Sequence, residues 1–338
     1  MWRLLVFLLV FALPLRAEGL RLAMLSADLS RDGPGLIYRD LLKGEDPAVT
    51  ATVARLAAAR ADVLLLCGLD WDAQGLALAA LAGAIAGRGG PDYPLRLALR
   101  PNTGQPSGLD LDGDGRRGGP GDAQGFGAFP GQGGMALLSR LPLAGKVADH
   151  TARLWREMPE PPPLPAEELA LRRLSSTGHW QVPLRLADGR ALTVMGWCAG
   201  PPAFGRGRDN VRRNADETRF WSALLDGAFG PPPAPPFVLM GSANLDAQAG
   251  DGDPTAIRAL LADPRLRDPC PAQGDGSLWT VDWTRLRSGA PGPGRLRSDY
   301  ILPSRDIPLH AAALETPPGP GLHGVLSLDL DLPPPQGP

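Results

Sequence analysis

Asp62-Val63-Leu64-Leu65-Leu66 runs through four consecutive apolar positions, with Ala61 before it and Cys67-Gly68 after it. A run this short and this continuous is the profile of a strand covered on both faces, because a strand with one wet face alternates. Such a strand needs apolar layers above and below it. The flanking sequence predicts them. Leu20 to Leu29, Tyr93 to Leu99 and Met135 to Leu138 read as further strands. Pro47 to Arg60 and the alanine- and leucine-rich Ala73 to Ala86 read as helices.

Later, Leu184 to Leu186 and Leu192 to Trp197 flank an Ala-Asp-Gly-Arg turn and predict a hairpin. Asn210 to Leu225 predicts an arginine-rich helix with Phe220, Trp221, Leu224 and Leu225 on one side. Phe237 to Met240 is a buried strand, and Asp253 to Ala262 a helix opened by Pro254. Asp299 to Leu302 and Val325 to Leu330 close the chain as strands. Forty-three glycines and 38 prolines break the chain into short pieces, which excludes a helical bundle or coiled coil. Residues 100–134 lack apolar periodicity and predict a long loop, a feature usually tied to function. The expectation is one α+β domain of layered sheets.

At the amino terminus, Met1-Trp2-Arg3 precedes the apolar run Leu4 to Leu13 and then Pro14-Leu15-Arg16-Ala17-Glu18. One cation, a short apolar stretch and a small residue at the cut point predict a signal peptide over 1–17 and a mature domain over 18–338. The competing reading is a buried first strand. The run is too short to span a bilayer, so no stable membrane span is expected, and the protein is placed in the periplasm or outside the cell. A net charge of −2 argues against a nucleic-acid partner. Three cysteines and four scattered histidines supply neither a disulfide framework nor zinc spacing.

The local motifs come in a telling order. They are Asp28-Leu29-Ser30-Arg31-Asp32-Gly33-Pro34-Gly35, then Ala61 to Asp72, then Asn102 to Gly115 and Gly131 to Arg140. Leu174 to Pro183, Asp209 to Trp221, Gly241 to Asp246 and Asp299 to Ser304 follow. The set resembles the endonuclease/exonuclease/phosphatase (DNase I-like) family, in an exported bacterial branch of it. That resemblance implies a four-layer α/β sandwich, two packed mixed β-sheets flanked by helices. It also implies phosphoester hydrolysis with Mg²⁺ or a similar divalent ion held by carboxylates.

Mapped onto the family pattern, Asn244, Asp299 and His323 stand at retained positions. Ser26, Gly68, Cys198, Ser242 and Leu322 stand where the family carries an Asn, a metal-holding Glu, a His and two Asp. Without those carboxylates the hard oxygens that Mg²⁺ requires are missing. A hydroxyl or an aliphatic chain cannot take a proton from water near neutral pH. The resemblance therefore implies a pseudoenzyme with a phosphate-binding-like pocket for a small or lipid-linked phosphoester. The alternative is an active metal-dependent phosphodiesterase with a displaced site, formed by Asp28 or Asp70, two residues along from the substituted Ser26 and Gly68, or by Asp246, two residues beyond Asn244. His323 as a structural residue, and His179 as a packed one, are the plainer readings of those rings.

Asp110, Asp112 and Asp114 have the alternate-carboxylate spacing of a Ca²⁺ loop, with Asp122 as a later ligand; the competing reading is a solvated acidic loop. Arg206, Arg208, Arg212 and Arg213 predict either a phosphate cradle or, as the favoured reading, a solvated face paired with Asp209, Asp216 and Glu217. A Cys67–Cys198 bridge is disfavoured, because neighbouring strand positions face opposite ways and Gly68 is the position expected to face the pocket.

Overall fold

The computed structural model describes residues 18–286 and 288–332. The leader expected over 1–17 lies outside the described residues. Strand β1 (Glu18–Leu29) leads to helices α1 (Leu36–Lys43) and α2 (Pro47–Ala59). Strand β2 (Val63–Leu69), helix α3 (Leu76–Gly87) and strands β3 (Leu95–Leu97), β4 (Gly134–Ser139) and β5 (Ala148–Asp149) follow. After α4 (Ala166–Leu171) come β6 (Gly178–Arg185), β7 (Ala191–Cys198) and α5 (Asp209–Leu225). The remainder comprises β8 (Phe237–Ser242), α6 (Pro254–Leu261), β9 (Val281–Arg285), β10 (Pro291–Leu296), β11 (Asp299–Pro303), β12 (Leu309–Leu314) and β13 (Leu326–Leu332).

Two mixed sheets form the centre. One has the order β12-β13-β1-β2-β4-β3 and the other β11-β8-β7-β6-β5. In each, one parallel pair (β1 with β2, β7 with β8) sits among antiparallel neighbours. Side-chain alternation explains the continuous apolar run in β2. Val63, Leu65 and Cys67 enter the core between the sheets, while Leu64 and Leu66 face the layer of α1, α2 and α3. On the far side, Met195, Trp197 and Leu239 pack under Phe220 and Trp221 of α5 and Ile257 and Leu260 of α6. Helix, sheet, sheet and helix make the four layers that the family resemblance implies.

Local chemistry fixes the helix starts. The Asp46 carboxylate accepts from Ala48 N and Val49 N, with Pro47 opening α2. Asp253 and Pro254 play the same parts for α6. Asp72 accepts from Leu76 N and Ala77 N at 2.9 Å each, which starts α3.

At Arg213 and Glu217 the arginine helix departs from both readings of its sequence. In α5, Arg213, Asn214, Asp216 and Glu217 are buried. The Arg213 guanidinium donates to the carbonyls of Gln124, Arg173, Leu174 and Ser175, so it tethers two loops. Glu217 accepts from Ser176 N and Gly200 N, and burial pushes its carboxyl up to about 7 against the pull of Arg213. Arg213 and Glu217 thus belong to an internal polar seam, while Arg206 and Arg208 are exposed and Arg212 pairs with Asp216 at 2.8 Å, as the solvated-face reading has them. The signal for it was the apolar side of the same helix: with Phe220 and Trp221 seated on the sheet, the adjoining polar face has to lie against the loops beside it.

Candidate functional site

Where β1, β2, β7 and β8 end and β11 begins, on one side of the sandwich, lies a cavity of about 1040 Å³. Ser26, Gly68, Cys198, Ser242, Asn244, Leu322 and His323 all line it, so residues far apart in sequence come together as expected. Strand register does much of this work. Ser26 pairs with Cys67, Cys198 with Ser242, and Ser242 with Asp299.

At the floor, the buried Asp299 carboxylate organises three donors. His323 Nδ1 lies 2.6 Å from Oδ2, Ser26 Oγ donates to Oδ1 at 3.0 Å, and Ser298 Oγ donates to Oδ2 at 3.2 Å. With a carboxylate as partner, Nδ1 carries the proton, which leaves Nε2 as the ring's remaining polar atom. Burial raises the Asp299 carboxyl, but the charge and hydrogen bond of His323 and the nearby hydroxyls outweigh it and hold it below the ordinary carboxylate value. Ser242 Oγ belongs to those surroundings yet is buried without a partner in normal hydrogen-bond geometry. Asn244, at φ +49°, spends its amide on the Ala199 carbonyl at 2.7 Å.

Position 68 decides whether a metal fits. Gly68 has φ +87° at a break in the β1–β2 and β2–β4 registers, and a Cβ built on it would lie 2.4 Å from the Ala27 carbonyl oxygen. Backbone, not a movable side chain, occupies the space a glutamate would need. The donor set left at the floor is hydroxyls, an amide, a histidine and one carboxylate already bonded to that histidine. These residues do not fit a hard divalent ion.

The displaced carboxylates do not repair this. Asp28 and Asp246 line the cavity, but Asp70 does not. Asp70 is buried and accepts from Arg31 N and Gly133 N at 2.8 Å each, so it ties two loops together on the other side of Gly68. Asp246 accepts from Gln248 N and Arg297 N. Among the described residues, the one trio of potential ligands whose atoms lie within 4.8 Å of one another is Asp110, Asp112 and Asp122. Asp122 therefore takes the place expected of Asp114, whose carboxylate accepts from Arg116 N instead. The trio already serves its own loop: Asp122 accepts from Leu111, Asp112, Gly118 and Gly119 N, and Asp110 from Gly113 and Gly115 N.

Cys67 and Cys198 form a disulfide, Cα–Cα 5.8 Å, against the sequence expectation. Cys67 faces the core between the sheets, and the cavity opens at the end of that core, so Cys67 and Cys198 line it together with Gly68 and alternation does not keep the two sulfurs apart. His179 is buried, bonded to Ser175 Oγ and the Glu217 carbonyl and stacked on Trp221, and burial lowers its pKa to about 3. It is a packing residue.

Two parts of the wall carry no sequence signal. The β9–β10 hairpin supplies Trp283, Leu286 and Pro291, and the loop after β7 supplies Phe204. Pro291-Gly292-Pro293-Gly294 reads as loop, not strand, and a lone Phe204 among glycines and arginines fits no period.

The two sheets with helices on their outer faces define a DNase I-like sandwich, and solved structures share it. An endonuclease/exonuclease/phosphatase from Beutenbergia cavernae DSM 12333 superposes with TM-score 0.57 at 19% identity, covering 93% of this chain and 72% of that one. A family protein from Bacteroides thetaiotaomicron gives 0.52 at 10%, covering 94% and 99%. The human Nocturnin catalytic domain gives 0.51 at 16%, covering 92% and 94%. No curated protein matches the chain significantly. The model of the Endonuclease/Exonuclease/phosphatase family matches residues 39–321, and the chain belongs to that family.

Proposed function

We propose that this chain is an exported member of the family that no longer hydrolyses phosphoesters and instead binds a ligand in the cavity where its relatives' chemistry is expected. One observation carries this reading: at position 68 the Ala27 carbonyl stands 2.4 Å from where a side chain would begin. The main chain itself has closed the place of the metal-holding acid. The Asp299–His323 pair and Asn244 can still orient a polar group, but no anionic grip on a dication remains beside them.

Export is supported by the leader-like residues 1–17 and by the disulfide, which persists in oxidising compartments. No helix among the described residues is long and apolar enough to cross a membrane.

The test is turnover. The purified mature chain is given generic phosphodiesters and monoesters with Mg²⁺, Mn²⁺ or Ca²⁺, with and without chelator. The expected result is no turnover with any metal. Chelator-sensitive hydrolysis that disappears in His323→Ala would overturn the reading and favour a displaced site built on Asp28 and Asp246, which do line the cavity.

A further inference from the structure

The Cys67–Cys198 disulfide lines the cavity, and ligand binding as proposed above makes no use of it. Both residues belong to the core cluster between the sheets and are only 6% and 5% exposed, so the cavity is the side from which a solute meets their sulfurs. A space of about 1040 Å³ admits a drug-sized molecule. A folded reductant has to bring its own main chain up to the bond, and here the bond is covered.

The two sulfurs are not equivalent. In the strand ladders Cys198 stands between Gly178 and Ser242, and Cys67 between Ser26 and Met135. Glycine and serine leave the flanks of Cys198 low, whereas the longer Met135 chain stands beside Cys67. Cys67 Sγ lies 3.7 Å from the Trp197 carbonyl oxygen, an acceptor for a thiol formed there. Both features make Cys198 the sulfur that is attacked and Cys67 the one that leaves.

We propose that this disulfide is an exchange site for small organic thiols that enter through the cavity, forming a mixed disulfide on Cys198, and that it is closed to folded reductants. The incoming thiol gives its proton to solvent, and its thiolate attacks Cys198 Sγ. A new S–S bond forms as the Cys67–Cys198 bond breaks. The electron pair passes to Cys67 Sγ, which takes up a proton and donates it to the Trp197 carbonyl. One thiol is consumed and one appears, so the step needs no other oxidant or reductant. A second thiol then attacks the mixed disulfide, frees Cys198 and departs with the first as an organic disulfide. The exchange needs only the bond and its access, and neither depends on the non-hydrolytic reading.

The experiment uses the purified, oxidised mature chain with Cys270, which is free and exposed, blocked beforehand by iodoacetamide. Dithiothreitol or a thioredoxin-type protein dithiol is added at mildly alkaline pH across a series of urea concentrations below the unfolding transition. Acid quenching and intact mass after alkylation count the opened bonds. The expected result is opening by dithiothreitol at a rate that urea leaves unchanged, at least tenfold faster per thiolate than by the protein dithiol. A Cys67→Ala/Cys270→Ser chain captures the mixed disulfide itself: butyl methanethiosulfonate should place one butylthio group on Cys198 in the folded state, again at a urea-independent rate. Should that variant not fold, the wild-type series decides alone. A rate that climbs with urea in step with global unfolding overturns the proposal. So does the absence of opening by dithiothreitol, a protein dithiol that keeps pace with it, or a folded variant whose Cys198 takes no butylthio group. Each of these results leaves the non-hydrolytic reading standing, since that reading fails only through chelator-sensitive turnover in the assay above.

Discussion

In a Cys67→Ala/Cys198→Ala double variant, the two sheets lose their covalent tie at the cavity end. The tie closes a span of 131 residues, and the chain-entropy model assigns a loop of that length about 5 kcal/mol of native-state stability. Melting entropy runs at about 2.1 cal/mol/K per residue, so roughly 300 ordered residues give about 0.6 kcal/mol/K and the loss corresponds to a fall in Tm of about 8 °C. Truncating two buried side chains adds a smaller term of the same sign. Urea unfolding of the oxidised wild type, the reduced wild type and the double variant separates the two contributions, because reduction keeps the sulfur atoms. The expected order is oxidised wild type well above reduced wild type, with the double variant slightly lower. The cost falls on the unfolded chain, so the native far-UV spectrum should stay unchanged. A difference below about 1 kcal/mol between oxidised and reduced protein would refute the reasoning, since no native strain is being invoked to cancel the entropy.

Other perturbations test separate parts of the fold. Gly68→Glu should lose at least about 2 kcal/mol, from positive φ together with backbone overlap, and should gain no Mg²⁺-dependent stabilisation; a variant with native Tm that binds the ion contradicts the account of the floor. Arg213→Met breaks four bonds to carbonyls and strands Glu217 without its countercharge, for a loss of about 3–5 kcal/mol in denaturant unfolding. Asp122→Ala removes an acceptor for four N–H groups and should expose the 107–122 loop to limited proteolysis while the sheets stay intact. Asp299 has a depressed carboxyl, so its stabilisation is fully present above the unfolded carboxylate pKa of 3.8 and is lost as pH falls through the lower folded value. Unfolding midpoints below pH 4 should therefore flatten in Asp299→Asn relative to wild type.

The strands and helices with strong apolar periods were legible from the residues. Val63 to Leu66 had to be covered on both faces, and Phe220, Trp221, Leu224 and Leu225 had to meet a sheet. The three outermost pieces were not legible. In β12, His310 through Ala313 are exposed, so nothing selects an alternating pattern, and in β9–β10 prolines and glycines hide a hairpin that is bonded to the main chain around His323. Helix α1 follows a Gly-Pro-Gly run whose local preference is for a turn. At the site, the residues singled out by their flanking motifs do come together on one cavity. What position 68 does was not legible, since a glycine in sequence carries no sign of whether its φ is positive. The disulfide was missed for a geometric reason: alternation gives the face of a strand, but not the end of the core at which a cavity opens.

The β9–β10 hairpin shares no ladder with either large sheet, yet Gly321 N donates to the Asp282 carbonyl and Gly324 N to that of Thr280, on both sides of His323. Trp283 is thus tied through its own strand to the main chain on either side of the imidazole, while Asp299 of the sandwich holds that ring from below. Altering the hairpin's outline would reshape what the chamber admits, with the ring still anchored on the sheet behind it.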